Sequence, residues 1–192
     1  MFALQHPERQ YSNIGGLETF LFADAESLLY DPRPRRELAG NLVIQNLPLI
    51  GGAKWQVASV VKFSLGYRER QRENQDGISY RQQLSGVIAK HTPIIANILR
   101  QFENRRFVLL VKDLNGYYRL VGSKESPMEF AYQSDPGASP RDRNEISWEF
   151  EGEQAHPAWF YSGDLLNQVA QPASPEEIAR ITENGIYIRI LE

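Results

Sequence analysis

Phe107-Val-Leu-Leu-Val-Lys-Asp113, Leu114-Asn115-Gly116 and Tyr117-Tyr-Arg-Leu-Val121-Gly122 together read as one tight β-hairpin. β-formers flank an Asn-Gly pair, the dipeptide that supplies the positive φ of a two-residue hairpin turn. The polar stretch Gln133–Asn144 follows, and then an alternating strand in which Trp148 and Phe150 interleave with Glu149 and Glu151. This segment carries much architecture and little chemistry.

Working outward, Leu17–Ala23 reads as a first strand and Leu42–Leu47 as a short one, with turns at Gly51-Gly52. Asp31-Pro-Arg-Pro-Arg-Arg36 is a loop, since its prolines exclude helix and central strand. Trp55, Val57, Val61, Phe63 and Leu65 share one parity and predict a long strand. Ile78, Tyr80, Leu84 and Ile88 do the same in the next segment. Residues 66–77 between them hold no apolar residue after Tyr67 and read as a long hairpin whose tip reaches into solvent or onto a neighbour. A helix is predicted from Thr92 as N-cap and Pro93 at the first helical position, fading near Asn104. Its apolar stripe is Ile94, Ile95, Ile98, Leu99 and Phe102. Ser174-Pro-Glu-Glu177 signals a second short helix and Ile186–Leu191 a last strand. The expected organisation is an arm (1–16), a β-rich core (17–173) with hairpin 66–77 and loop 133–144, and a C-terminal helix and strand (174–192). The expected class is α+β, mainly β: a β-sandwich or rolled barrel with one packed helix.

The chain has 192 residues, 42% hydrophobic, with a formal net charge of −3 and no cysteine. Absent cysteine removes disulfides, thiolate zinc sites and cysteine nucleophiles. The charge argues against a dedicated nucleic-acid binder. No window approaches the roughly 18 apolar residues of a membrane span, so no membrane anchor is expected. From Glu145 onward there are nine acidic and two basic residues, a balance of −7, which leaves +4 on residues 1–144.

Candidate chemistry is thin. His6, His91 and His156 have no metal-ligand spacing. Asp113-Leu-Asn115-Gly116 begins like a calcium loop but lacks the acidic ligands that must follow. The double glycines at 15–16 and 51–52 lack the lysine of a phosphate loop. Arg33, Arg35 and Arg36 form a basic cluster; the run Arg68, Glu69, Arg70, Arg72, Glu73 mixes signs, so its summed field is small. No catalytic, cofactor or metal residue is expected. Trp159 and Tyr161 support a competing reading, a β-sandwich carbohydrate-binding module.

Several motifs occur in order: Gly15-Gly16-Leu17, Gly77-Ile-Ser-Tyr80, Phe107–Gly116, Leu120-Val-Gly122, Pro127-Met128, Arg143-Asn144, Phe150-Glu-Gly152 and His156-Pro-Ala158. This series resembles structural proteins from the morphogenesis modules of tailed bacteriophages and prophages, especially those of Bacteroidetes-type hosts. The hairpin, loop and Phe-x-Gly order is similar to tail tube and related tail or neck proteins. The resemblance implies stacked hexameric rings around a DNA-conducting channel in the virion tail, assembled in the host cytoplasm. Its partners would be further copies of itself stacked head to tail, other tail or neck proteins, and DNA in transit without specificity. A head-tail neck protein or tail terminator is the alternative within that class. Expected inter-subunit contacts are Arg68, Glu69, Arg70, Arg72, Glu73, Asp135, Arg141, Asp142 and Arg143. Expected lumen-facing acids are Glu145, Glu149, Glu151 and Glu153, although alternation turns half of a strand's residues the other way.

Overall fold

In the computed structural model the described residues are 14–36, 42–58, 64–75, 77–139, 141–142 and 144–163. Most of the expected arm, Val61, Phe63, Arg143 and the C-terminal helix and strand lie outside them. The elements are β1 (Leu17–Asp24), β2 (Arg35–Arg36), β3 (Leu42–Ile44), β4 (Gln56–Ala58), β5 (Gly66–Asn74), β6 (Gly77–Ala89), α1 (Pro93–Phe102), β7 (Arg106–Asp113), β8 (Tyr118–Val121), β9 (Met128–Asp135), β10 (Glu145–Gln154) and β11 (Trp159–Tyr161).

β7 organises the rest. Its five consecutive apolar residues are buried on both sides: Phe107, Leu109 and Val111 enter one core, Val108 and Leu110 another. An unbroken apolar run is what a strand covered on both faces requires. β1 lies antiparallel along one edge, with Phe20 opposite Val111 and Phe22 opposite Leu109. It divides the same way, Phe20 and Phe22 to the first core, Leu21 and Ala23 to the second.

The other edge of β7 has two partners in succession. Leu109–Lys112 pair with β8, whereas Arg106 and Phe107 pair with β9. The sheet therefore forks. One wing runs β8-β11-β3-β2 and the other β9-β10-β6-β5, while β4 adds to β1. β11 and β3 are parallel, so the sheet is mixed. The mainly-β architecture with one helix is as expected; the path from β2 to β5 stays open and does not close into a barrel.

α1 covers the first core. Thr92 caps it, its hydroxyl accepting from the Ile95 amide at 3.3 Å. Only Ile95, Leu99 and Phe102 are fully buried; Ile94, expected in the stripe, is 65% exposed. A stripe of adjacent pairs is wider than the sheet can cover. Phe102 sits among Phe22, Phe107 and Phe130 at centroid distances of 5.3, 4.9 and 5.1 Å. The chain leaves the helix through Asn104, at φ 62°.

Two expectations change. Trp55 and Val57 do not share a face as expected: in the described part of the 55–65 stretch β4 spans Gln56–Ala58, Trp55 fills the second core, and Val57 is 43% exposed. At the hairpin turn only Gly116 has positive φ. Asn115 uses its carboxamide instead, accepting from the Ile14 amide and donating to the Ile14 carbonyl, both at 3.1 Å.

Gly86 lies opposite Trp148 in the β6–β10 pair, and a Cβ there would fall 2.4 Å from the indole. Gly86→Ala is expected to destabilise the fold by about 1–3 kcal/mol through overpacking. Urea titration would measure this, and an unchanged midpoint would show that the indole is free to move.

Candidate assembly interface

The expected 66–77 hairpin is strand over most of its length. β5 pairs with β6 from Gly66 opposite Ser85 to Asn74 opposite Gly77, so the turn shrinks to residues 75–76. Partners across a ladder share a face. Arg68 lies opposite Gln83, Arg70 opposite Arg81 and Arg72 opposite Ser79, all on the face turned from the first core. Glu69 and Glu73 share the opposite face with Tyr67, whose neighbour Leu84 is buried in that core. Summing the run to a small field was therefore misleading. A period of two sorts its arginines to one face and its glutamates to the other.

β10 extends that face. Ile146, Trp148 and Phe150 point into the core. Glu145, Glu149, Glu151 and Glu153 consequently all point out. β9 adds Glu129, Ala131, Gln133 and Asp135, which pair with those outward residues. The face is graded, basic along β5 and acidic across β10 and β9. Arg81 forms an ion pair with Glu151, Arg106 with Glu129 at 2.9 Å, and Gln83 donates to Glu149 at 2.6 Å. Among the described residues Arg68, Arg70 and Arg72 have no ion-pair partner. Three like-charge pairs stand directly opposite, Arg70 with Arg81, Glu145 with Asp135, and Glu151 with Glu129, the last flanked by Arg81 and Arg106. Such pairs are unfavourable unless something else neutralises them.

Among the described residues, both sides of this wing end in open backbone. No described strand pairs with the outer edge of β5 or with the edge of β9 beyond Glu129. Rows of unmet amides and carbonyls are templates for another chain.

The expected contact residues divide by role. Glu69 Oε2 accepts from Tyr67 Oη at 2.9 Å, Gln82 Nε2 at 3.1 Å and the Ala158 amide at 2.7 Å, so it works within the chain. Burial, and then the adjacent Glu69 carboxylate, push the Tyr67 hydroxyl far above its usual range and keep it a neutral donor. Residues 133–135 belong to β9, which shortens the expected loop to 136–144. Asp135 accepts from the Gly137 amide at 2.9 Å, and Asp142 from the amides of Ala138 at 2.9 Å and Ser139 at 2.8 Å. Arg141 is exposed, and Glu73 lies on the inner side of the edge strand.

The remaining chemistry is modest. His91 Nδ1 is 2.9 Å from Ser134 Oγ, and His156 stacks near Trp159 with centroids 5.0 Å apart. Tyr161 is buried in the second core, which removes it as a sugar-stacking platform. No group of three His, Asp or Glu among the described residues is placed to hold a metal ion. No helix among them is long and apolar enough to cross a membrane. Comparison with protein-family models, curated proteins and solved structures finds no match.

Sequence reasoning missed the buried polar residues Gln82, Ser123 and Gln154. For Gln82 a signal existed: it shares the parity of Tyr80, Leu84 and Ile88 and so had to point inward.

Hydrogen bonds from the Ala138 and Ser139 amides hold the Asp142 carboxyl below the usual carboxylate range. A depressed folded pKa gives stability above the ordinary value that is lost as pH falls through the folded one. Loop 136–144 should therefore loosen in acid, below the pH at which free aspartate protonates, and Asp142→Asn should loosen it at neutral pH. Hydrogen exchange of the Ala138 and Ser139 amides reads both effects; exchange independent of pH-corrected Asp142 charge would refute the linkage.

Proposed function

We propose that this chain is a structural protein of a phage virion, a tail tube subunit that closes into rings by pairing β5 of one copy with β9 of the next. One observation carries the reading: a four-stranded antiparallel wing with two edges of opposite charge that no described strand covers. The wing holds an even number of alternating strands, so rotation about a ring axis sets β5 antiparallel to the neighbouring β9. Closure removes both edges at once, which is how cyclic assemblies avoid uncontrolled edge pairing. The unpaired Arg68, Arg70 and Arg72 then meet the acidic side of the adjoining copy.

The outward face of the wing becomes the channel wall. It carries Arg68, Arg70, Arg72 and Arg81 against Glu129, Asp135, Glu145, Glu149, Glu151 and Glu153, four cations to six anions, or −2 per copy. The arginines lie at the seams, and the excess acid lines the bore, where it keeps passing DNA from adhering. Six copies give roughly 24 strands and, at about 4.8 Å between neighbours, a backbone circumference on the order of 115 Å. Barrels of roughly 16–18 strands already leave an aqueous channel.

Negative-stain electron microscopy across protein concentration is expected to show rings or tubes. Reversing the edge with Arg68→Glu, Arg70→Glu and Arg72→Glu should abolish them without lowering the monomer's melting temperature, because these side chains are exposed and unpaired. A second variant, Ala131→Lys with Gln133→Lys, makes the β9 edge basic. Mixing the two variants should restore rings, since each then offers an edge complementary to the other. Rings from the triple variant alone, or a wild-type monomer at every concentration, would defeat the proposal.

A further inference from the structure

The loops at the fork enclose a cleft of about 1050 Å³ that the ring reading does not use. Its floor is Ser123 and Gln154, both buried and hydrogen-bonded to each other at 3.1 Å. One wall is fixed by Asp31, whose carboxylate accepts from the Lys124 and Glu125 amides, and by Lys124 Nζ, which donates to the Leu28 carbonyl at 2.7 Å. Pro32 and Pro34 stiffen the same wall. Binding sites on loops held by a rigid scaffold lose little entropy when they fill.

The groups left to face a ligand are Tyr30, Arg33, Asn46, Glu125, His156 and Trp159. Trp159 is half-buried and held by the His156 ring, tilted at 32° to it. Asn46, Arg33 and Glu125 carry planar amide, guanidinium and carboxylate groups with no hydrogen-bond partner among the described residues. Arg33 and the Lys124 ammonium in the adjoining wall balance Asp31 and Glu125, which leaves no net field to gather phosphates or acidic polymers. From this combination we propose that the cleft binds a neutral oligosaccharide. The C–H face of a pyranose packs against the electron-rich indole, and its vicinal hydroxyls match paired donors and acceptors on planar side chains. The cleft's volume lies at the upper end of ordinary ligand pockets, which suits several sugar units rather than one. This site is independent of ring formation, so either reading stands or falls without the other.

The chain has three tryptophans, and Trp55 and Trp148 are buried, so fluorescence changes on ligand addition report on Trp159. Monomeric protein is titrated separately with cellohexaose, maltohexaose and chitohexaose, and with a sulfated hexasaccharide. The expected result is a saturable emission change and protection from acrylamide quenching with at least one neutral hexasaccharide. Asn46→Ala and Glu125→Ala should each weaken that binding about tenfold, the loss of one hydrogen-bonding side chain. Both residues are exposed, so these variants carry the test even where Trp159→Ala compromises folding. No saturable change with any neutral hexasaccharide, binding undiminished in both variants, or preference for the sulfated ligand would each overturn the assignment.

Discussion

The Gln82 carboxamide holds the fork together. Its oxygen accepts from the Gly122 amide at 3.0 Å and its nitrogen donates to Glu69 at 3.1 Å. Gly122 stands where the chain leaves β8 for β9, at φ 80°, with the Met128 side chain 2.8 Å from where a Cβ would fall. Its amide belongs to neither wing's ladder, and a buried amide without a partner is costly. Gln82 supplies the partner from inside the β9-β10-β6-β5 wing, and Glu69 reaches on to the Ala158 amide beside β11 in the other. A second set of bonds, Ser123 to Gln154 and the Ser126 amide to Ser123 Oγ at 2.9 Å, closes the turn that follows. The bonds of Gln82 to Gly122, Glu69 to Ala158 and Ser123 to Gln154 join segments far apart in sequence and fix the angle between the wings.

That angle explains the two cores. A sheet forking from one central strand presents each face of β7 and β1 to a different wing, so both strands must be apolar throughout. The β9-β10-β6-β5 wing rolls far enough for Phe20 on β1 to meet Trp148 on β10 at 5.5 Å. The aromatic ring cluster and α1 fill the space inside that roll. Polar groups at the branch and aromatic groups in the bowl are complementary: the former set the geometry, and the latter supply the burial that makes it stable.

Much of this was legible in the sequence where the determinants are local. The β7–β8 hairpin announces itself through Asn115-Gly116, and α1 through Thr92-Pro93, because a turn or a cap involves residues a few positions apart. The outward placement of the β10 glutamates follows from Trp148 and Phe150 alone. The charged run on β5 carried the same information, and the error lay in adding charges along the chain instead of by parity. The fork itself was not legible. It depends on which residues of β7 meet β8 and which meet β9, a matter settled by pairing across long stretches of chain and by a handful of buried amides. The cleft escaped for the same reason, since Asp31, Asn46 and Glu125 come from three separate connections and Trp159 from the start of β11.

The two ends of the β9-β10-β6-β5 wing are chemically different, and this follows from strand direction. At the Glu145 end of β10 lie Asp135, the 136–144 loop and His91; at the Gln154 end lie the cleft and the β5–β6 turn. A ring of such wings has one acidic rim with its loop carboxylates already bonded to backbone, and one rim carrying the exposed Ile78 beside the turn. Unlike rims cannot satisfy each other by meeting face to face with their own kind, because the Asp135–Glu145 pairs would double their repulsion. Stacking with all rings in one orientation avoids that contact. In the proposed ring, the same alternation that sorts charge across the sheet would also give the assembly a direction along its axis.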